Sequence, residues 1–323
     1  MTLRQCVRLY LRQSGNIWYH LPPSWRLLPP GRAYGRHLHV LARRYGDRRQ
    51  NHSTFFLRNR AELELLRSLL AQKPRGSSLD IAVIACSKGA EVYSFMWAIR
   101  SARPDLKVRL YAVDIAQEIV DFAAKGVYSL NSVAGSKPNP EAIVAGDMTW
   151  KDQPVSSSVF ERMTREEIEG MFEVDGDQAK IRASLKEGIT WLQGDASSPK
   201  LISDLGPQDI VVGNRFLCHM DPPFAEECLR NFSRLVKPGG YLFVYGVDLD
   251  VRGRVAKDRG WTPVTDMMQE VYNGDVSLRT AWPFEYFGLE PFSDDGPDWK
   301  LRCASVFQIG EAFDAQPALV AHR

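Results

Sequence analysis

Two residues in this sequence have types and spacing that can do chemistry on a ligand. Gly89 ends a turn of small residues, and Asp114 closes an apolar run 25 positions later. Leu79 to Ile84 is an apolar, β-branched stretch of the length of one buried strand. It breaks into Ala85-Cys86-Ser87-Lys88-Gly89, after which Val92, Phe95, Met96 and Ile99 recur at helical spacing. Strand, small-residue turn and helix together bring backbone amides and a helix N-terminus up to a ligand. Lys107 to Val113 reads as a second strand, so Asp114 stands where a carboxylate can hold a ribose diol. NAD enzymes and S-adenosylmethionine (SAM) enzymes share this arrangement. The turn lacks the three glycines that close approach to a pyrophosphate requires, so a cofactor without phosphates fits better.

Ala85 to Ser94, read Ala-Cys-Ser-Lys-Gly-Ala-Glu-Val-Tyr-Ser, resembles the first SAM motif of the CheR-type chemotaxis receptor methyltransferases. That family reads small-small-Ser-Thr-Gly-Glu-Glu-Pro-Tyr-Ser. Tyr111-Ala112-Val113-Asp114-Ile115 and Ala124-Lys125-Gly126-Val127-Tyr128 resemble its second motif and the Gly-Ile-Tyr that follows. Asn51-His52-Ser53-Thr54-Phe55-Phe56-Leu57-Arg58 is similar to its Asn-x-Thr-x-Phe-Phe-Arg. In strict register the family arginine falls on Leu57; either a one-residue insertion restores it as Arg58 or Arg58 points elsewhere. Asp195-Ala196 stands where the family has Asn-Leu and keeps an acceptor for the adenine amine. The resemblance spans roughly residues 51–247. It implies a class I, Rossmann-like SAM-methyltransferase fold and a cofactor site of Asn51, Ser53, Arg58, Ser87, Gly89, Glu91, Asp114, Ile115, Asp195, Ala196, Asn214 and Arg215.

The segment after the fourth strand departs from the family. Arg-Asn-Val-x-x-Tyr-Phe becomes Asn214-Arg215-Phe216-Leu217-Cys218-His219-Met220, which swaps the first pair and puts His219 in the tyrosine slot. Ala90 replaces the first glutamate of the Glu-Glu pair and Lys88 the threonine. Arg58, Arg215 and His219 are the candidate catalytic residues. The family reaction makes a glutamyl methyl ester, and a carboxylate acceptor is ionised at pH 7 and needs no base. An alcohol or ammonium acceptor would need one, and His219 could serve. Three readings stay open: methylation of a carboxylate on a protein, methylation of a small molecule at O or N with His219 as base, and a catalytically silent SAM- or partner-binding module.

Stepping outward, the chain of 323 residues is 44% hydrophobic and 25% charged, ordinary for a soluble globular protein. Net charge is only +2, but residues 1–50 hold ten arginines against Asp47 alone. That basic segment, with its tyrosines and tryptophans, reads as structural cover or a dock for an acidic protein partner, with nucleic acid the least favoured. The resemblance likewise places a basic helical segment ahead of the methyltransferase fold. Pro22-Pro23 and Pro29-Pro30 predict two or three short helical pieces there. Five scattered cysteines without a Cys-x-x-Cys pair argue against a disulfide framework or a metal site and for a reducing, cytoplasmic setting. No run of about 18 apolar residues predicts a membrane span.

The expected fold is α/β: a doubly wound, mostly parallel sheet with an antiparallel C-terminal strand. Residues 1–78 form the N-terminal segment, 79–309 the methyltransferase domain with a pocket-forming insertion at 129–188, and 310–323 a tail. Within the insertion, 129–158 reads as a long surface loop or partly mobile lid, Thr164 to Met171 as a capped helix, and Asp175-Gly176-Asp177 as a hairpin turn. Further strands are expected at Ile189–Gln193, Asp209–Gly213, Tyr241–Val247 and Arg302–Ile309. Helices are expected at Ala61–Leu70, Phe224–Leu235 and Pro263–Tyr272, and Trp282 to Phe287 reads as an aromatic core cluster.

Overall fold

A computed structural model describes residues 2–46, 48, 52–130 and 158–310. Its strands are β1 (Ser78–Ile84), β2 (Lys107–Asp114), β3 (Val127–Ser129), β4 (Phe172–Asp175), β5 (Gln178–Ile181), β6 (Ile189–Gln193), β7 (Gln208–Val212), β8 (Val236–Phe243), β9 (Thr262–Pro263) and β10 (Val306–Gln308). β1 is the central strand: six successive residues are buried, five of them Leu, Ile, Ala or Val and the sixth Asp80, which pairs with Arg109 and Lys237. It pairs in parallel with β2 on one side and β7 on the other. β6 extends the sheet beyond β2, and β8 beyond β7, also in parallel. β10 closes the far edge antiparallel to β8 and carries β9.

The order is therefore β6-β2-β1-β7-β8-β10-β9. Counted along this sheet alone, that is 3-2-1-4-5-7-6, the class I methyltransferase arrangement. The strand order reverses between β1 and β7, which opens a crevice beyond their carboxyl ends. A second, antiparallel sheet joins β5 and β4 of the expected insertion to β3, which mostly precedes it, with Gly176 at φ 59° in the hairpin turn. Phe56 meets Tyr128 and Phe172 edge-on, each with ring centroids 5.0 Å apart, and stacks on Phe160 at 5.6 Å. These rings pin the segment 52–58 over the crevice.

The basic segment forms α1 (Leu3–His20), α2 (Pro23–Leu27) and α3 (Pro29–Tyr45). Three pieces are present, but two of them are long, at 18 and 17 residues. The prolines sit in the first turn of α2 and α3, where no amide partner is lost, and start these helices rather than shorten them. Trp18 and Leu38 pack with Trp282 in a cluster of their own. A β-carbon on Gly35 would lie 2.2 Å from the Trp282 ring, so only glycine admits this approach. Arg43 pairs with Asp248 and Asp250 across the same seam. α4 (Arg60–Ala71), α5 (Ala90–Ala102) and α6 (Gln117–Lys125) flank the sheet.

Other elements differ from expectation at their ends. β8 begins at Val236, so Lys237-Pro238-Gly239-Gly240 lies inside the strand and is absorbed by a register shift opposite Gln208 and Ile210. Arg302 and Cys303 end a short helix from Trp299, which leaves three residues for the terminal strand. The helix expected from Pro263 starts at Met268, because Pro263 pairs with Phe307 in the sheet. The helix before β8 runs from Pro222 to Phe232 and tightens to a 3₁₀ turn through Leu235. Residues 131–157, 311–323 and Asn51 lie outside the described residues, with most of the expected loop and tail. Among the described residues no helix is long and apolar enough to cross a membrane.

Candidate active site

The turn after β1 is bent by three residues of left-handed φ: Ala85 at 57°, Ser87 at 50° and Gly89 at 83°. Gly89 caps α5, and a β-carbon there would stand 3.0 Å from the Trp191 ring and from Ala123, so backbone angle and space both require glycine. The bend aims the Ser87 amide at Asp114, donating to its Oδ2 at 2.8 Å, while the Ala116 amide donates to Oδ1 at 3.2 Å. Asp114 is 4% exposed, and each oxygen keeps a second lone pair for a ligand. The Ser87 hydroxyl donates to the His52 carbonyl at 3.1 Å and ties the segment over the crevice to the turn. Ile115, next to Asp114, is 55% exposed, an apolar platform at the crevice edge. On the neighbouring strand end Asp195 is exposed, its Oδ1 accepting from the Ser197 amide and hydroxyl at 2.8 Å. Asn231 holds the Ala196 carbonyl at 2.9 Å.

At the switch point itself, Asn214 follows β7 and is buried. Its Nδ2 reaches both carboxylate oxygens of Glu62, at 3.1 and 3.2 Å, and Glu91 Oε1 at 3.0 Å. Its Oδ1 accepts from the Tyr245 amide. Burial pushes both carboxyls up, Glu62 well above the usual range with the Glu91 charge adding to it. The Cys86 thiol in the turn is buried, which pushes it well up and leaves it unreactive.

Beyond this pair the surroundings turn cationic. Arg215, at φ 63°, donates to Asp275 Oδ2 at 3.0 Å and to the Ser277 hydroxyl at 3.2 Å, and its Nε is buried without a partner among the described residues. Arg162 approaches the other oxygen of Asp275 at 3.0 Å and stacks over Phe55, 4.7 Å from the ring centroid. Arg58 donates to the Ser53 carbonyl at 2.8 Å and lies 5.4 Å over the same ring from Phe55. Leu57, the residue before it, is buried with φ 51°. Arg48 donates to the Cys218 and Met220 carbonyls, both at 2.8 Å. His219 is held by the Tyr286 hydroxyl, 2.7 Å from Nδ1. Burial, then Arg215, Arg48 and Arg58, lower its pKa to about 4, so the ring is neutral at pH 7.

The donor set fits a cationic cofactor without phosphates. Acidic groups stand at three points along the crevice, and the turn carries no pyrophosphate-binding glycine fingerprint. Family comparisons agree: the "CheR methyltransferase, SAM binding domain" matches residues 51–141 and a "Methyltransferase domain" matches 162–244. The sequence is 25% identical over 170 residues to the "Probable biofilm formation methyltransferase WspC" of Pseudomonas aeruginosa, covering 52% of this chain and 34% of that protein. It is 23% identical to "Chemotaxis protein methyltransferase 2" of Vibrio cholerae over 59% of this chain and 60% of that one. The matches thus span about a third and three fifths of those relatives. Among solved structures, magnesium protoporphyrin IX methyltransferase from Synechocystis PCC 6803 with bound SAH is similar over 63% of this chain and 73% of that one, at 14% identity and a TM-score of 0.32. The chain thus carries a stretch that matches a CheR-type SAM-binding domain and a second that matches a methyltransferase domain.

Its cofactor is SAM. Of the residues expected in the CheR-like site, the structure brings Ser87, Gly89, Glu91, Asp114, Ile115, Asp195, Ala196, Asn214 and Arg215 to the carboxyl edge of the parallel strands. Ser53 and Arg58 stand on the segment across the crevice. Sequence reasoning missed Glu62, Asp275, Arg162, Tyr286 and the placement of Arg48. Glu62 and Asp275 each carry a local cue, as the acidic third residue and the N-cap of a helix, but that cue speaks of helix ends and not of ligands. The sequence offers Tyr286 only as part of an aromatic cluster, and its hydroxyl stands 2.7 Å from His219 Nδ1.

Proposed function

We propose that the protein transfers the methyl group of SAM to a carboxylate oxygen on an acidic protein acceptor. The observation that carries this reading is the concentration of Arg48, Arg58 and Arg215 around His219, with Asp275 pairing both Arg215 and Arg162. Such a surround attracts and desolvates an anionic acceptor and repels an ammonium nucleophile. SAM, when bound, supplies an electrophilic methyl group whose S–CH₃ bond breaks as the new O–CH₃ bond forms. The charges of donor and acceptor are neutralised in that step, so orientation supplies most of the acceleration. Arg215 and Arg58 would hold the acceptor carboxylate in line. Asp275 fixes the Arg215 guanidinium by one Nη1 bond while Nε stays unpaired. Glu91 and Asn214 face the cofactor side.

A His219 base is the competing reading. It has a neutral imidazole in its favour, but one whose pKa of about 4 makes it a weak proton acceptor. The test is incubation with methyl-labelled SAM and acidic protein candidates. Base-labile label on protein, released as methanol, is expected. Stable label on a small molecule would replace the proposal with the second reading, and SAM binding without transfer to any acceptor would leave a silent module.

A further inference from the structure

Glu62 stands three residues after Asn59, the N-cap of α4, a spacing at which glutamate ordinarily turns back onto the cap. Here only half of that box forms. Asn59 Oδ1 accepts from the Glu62 amide at 3.2 Å, but the Glu62 carboxylate reaches across to Asn214. One amide nitrogen, with two hydrogens to give, thereby faces three oxygens of two carboxylates. Glu62 is 2% exposed. The other charged and titratable groups facing the pair come from every side: Arg58 from the covering segment, Cys86 from the turn after β1, Arg215 from the loop after β7, Tyr245 from beyond β8, and Asp275 from the C-terminal part. Arg58 donates to Ser53 and Arg215 to Asp275 and Ser277. Two carboxyls on one amide nitrogen, Glu62 buried and Glu91 partly buried, do not both ionise unless a cation pairs with them directly.

We propose that Glu62 and Glu91 share one proton and release it when the cationic methionine end of SAM binds, which makes Glu62 a positioning residue for the cofactor. The proton leaves to solvent, and the pair, now fully ionised, faces a ligand that brings its own positive charge. Glu62 acts through Asn214 and Glu91 and sets how strongly the site favours a positively charged ligand. The inference rests on the cofactor assignment and not on the identity of the acceptor.

Calorimetry of SAM binding to the whole chain, in buffers of different ionisation heat, counts the protons. The window is pH 5–7, below the range near 7.7–8.0 where an α-amino group such as that of SAM titrates. About one proton released per SAM bound is expected, with affinity rising by up to about tenfold per pH unit and then levelling. Glu62→Gln keeps the volume and an oxygen for Asn214, and should bind SAM with no proton release and no pH dependence from the pair. Any other titration is common to both proteins and cancels in the comparison. Binding by the unaltered protein without proton release would overturn the proposal, as would a Glu62→Gln protein that releases the same proton. Absence of SAM binding at every pH would instead overturn the cofactor assignment and the proposal with it.

Discussion

Asp114 is the residue on which cofactor affinity should depend most directly. Its carboxylate already takes two backbone amides, so Asp114→Ala removes both a ligand acceptor and a staple of the turn. Calorimetry should show SAM affinity down by about 10- to 150-fold, the equivalent of roughly 1.5–3 kcal/mol. His219 makes the opposite case. With its pKa lowered to about 4, first by burial and then by Arg215, Arg48 and Arg58, it does not change charge between pH 6 and 9. Methylation rates should therefore show no step at ordinary histidine pH, and His219→Tyr should stay active. A loss of about 10²–10⁴-fold in His219→Phe, with a rate that rises through pH 6.5 in the parent, would make it a base instead. Asp114 was legible in sequence as the acidic end of an apolar strand, and Asn214 and Arg215 through the family resemblance in the loop after β7. Glu62, Asp275 and Tyr286 were not, because each meets its partner only across the fold: Glu62 and Asn214 are 152 positions apart, Arg215 and Asp275 60, and His219 and Tyr286 67.

Among the elements, the turn from β1 to α5 carries the tightest requirement. Gly89→Ala places a β-carbon at φ 83° and against Trp191 and Ala123, so about 1–2 kcal/mol of stability should be lost from the backbone alone. Chemical unfolding measures that loss, and SAM affinity should fall with it as the turn shifts. On α3, His39 donates from Nδ1 to the Pro283 carbonyl, 3.2 Å away, and burial with Arg43 nearby lowers its pKa to about 4. The unfolded ring titrates near 6.5, so between these values the unfolded chain binds more protons than the folded one. Stability should hold above pH 7 and decline as the pH falls from about 6.5 toward 4, and His39→Gln should make that decline shallower in thermal unfolding. The parallel strands were readable because each is a short apolar run bounded by turn residues. The C-terminal edge was not: Pro263 pairs in the sheet, and the last strand keeps three residues after a helix, choices made by the neighbouring β8 and not by local propensity.

For the molecule as a whole, α1 to α3 are the part we propose for acceptor recognition. Arg4, Arg8 and Arg12 recur every four residues along one side of α1, and no acidic residue precedes Asp47. Replacing all three with glutamine should leave SAM affinity intact and raise KM for an acidic protein acceptor at low salt. The difference should fade near 1 M salt, where charges are screened within about 3 Å; a KM unchanged at low salt would remove α1 from acceptor binding. How these helices are seated has a consequence for observing them. Trp18 and Trp282 meet edge-on with ring centroids 5.3 Å apart, at 2% and 8% exposure, over a glycine that admits no side chain. The helices cannot lift from the catalytic domain without parting two indoles and wetting both. The protein thus carries its own optical gauge: blue-shifted emission while the helices are docked, and a red shift when an acceptor, or an altered α3, pries them away.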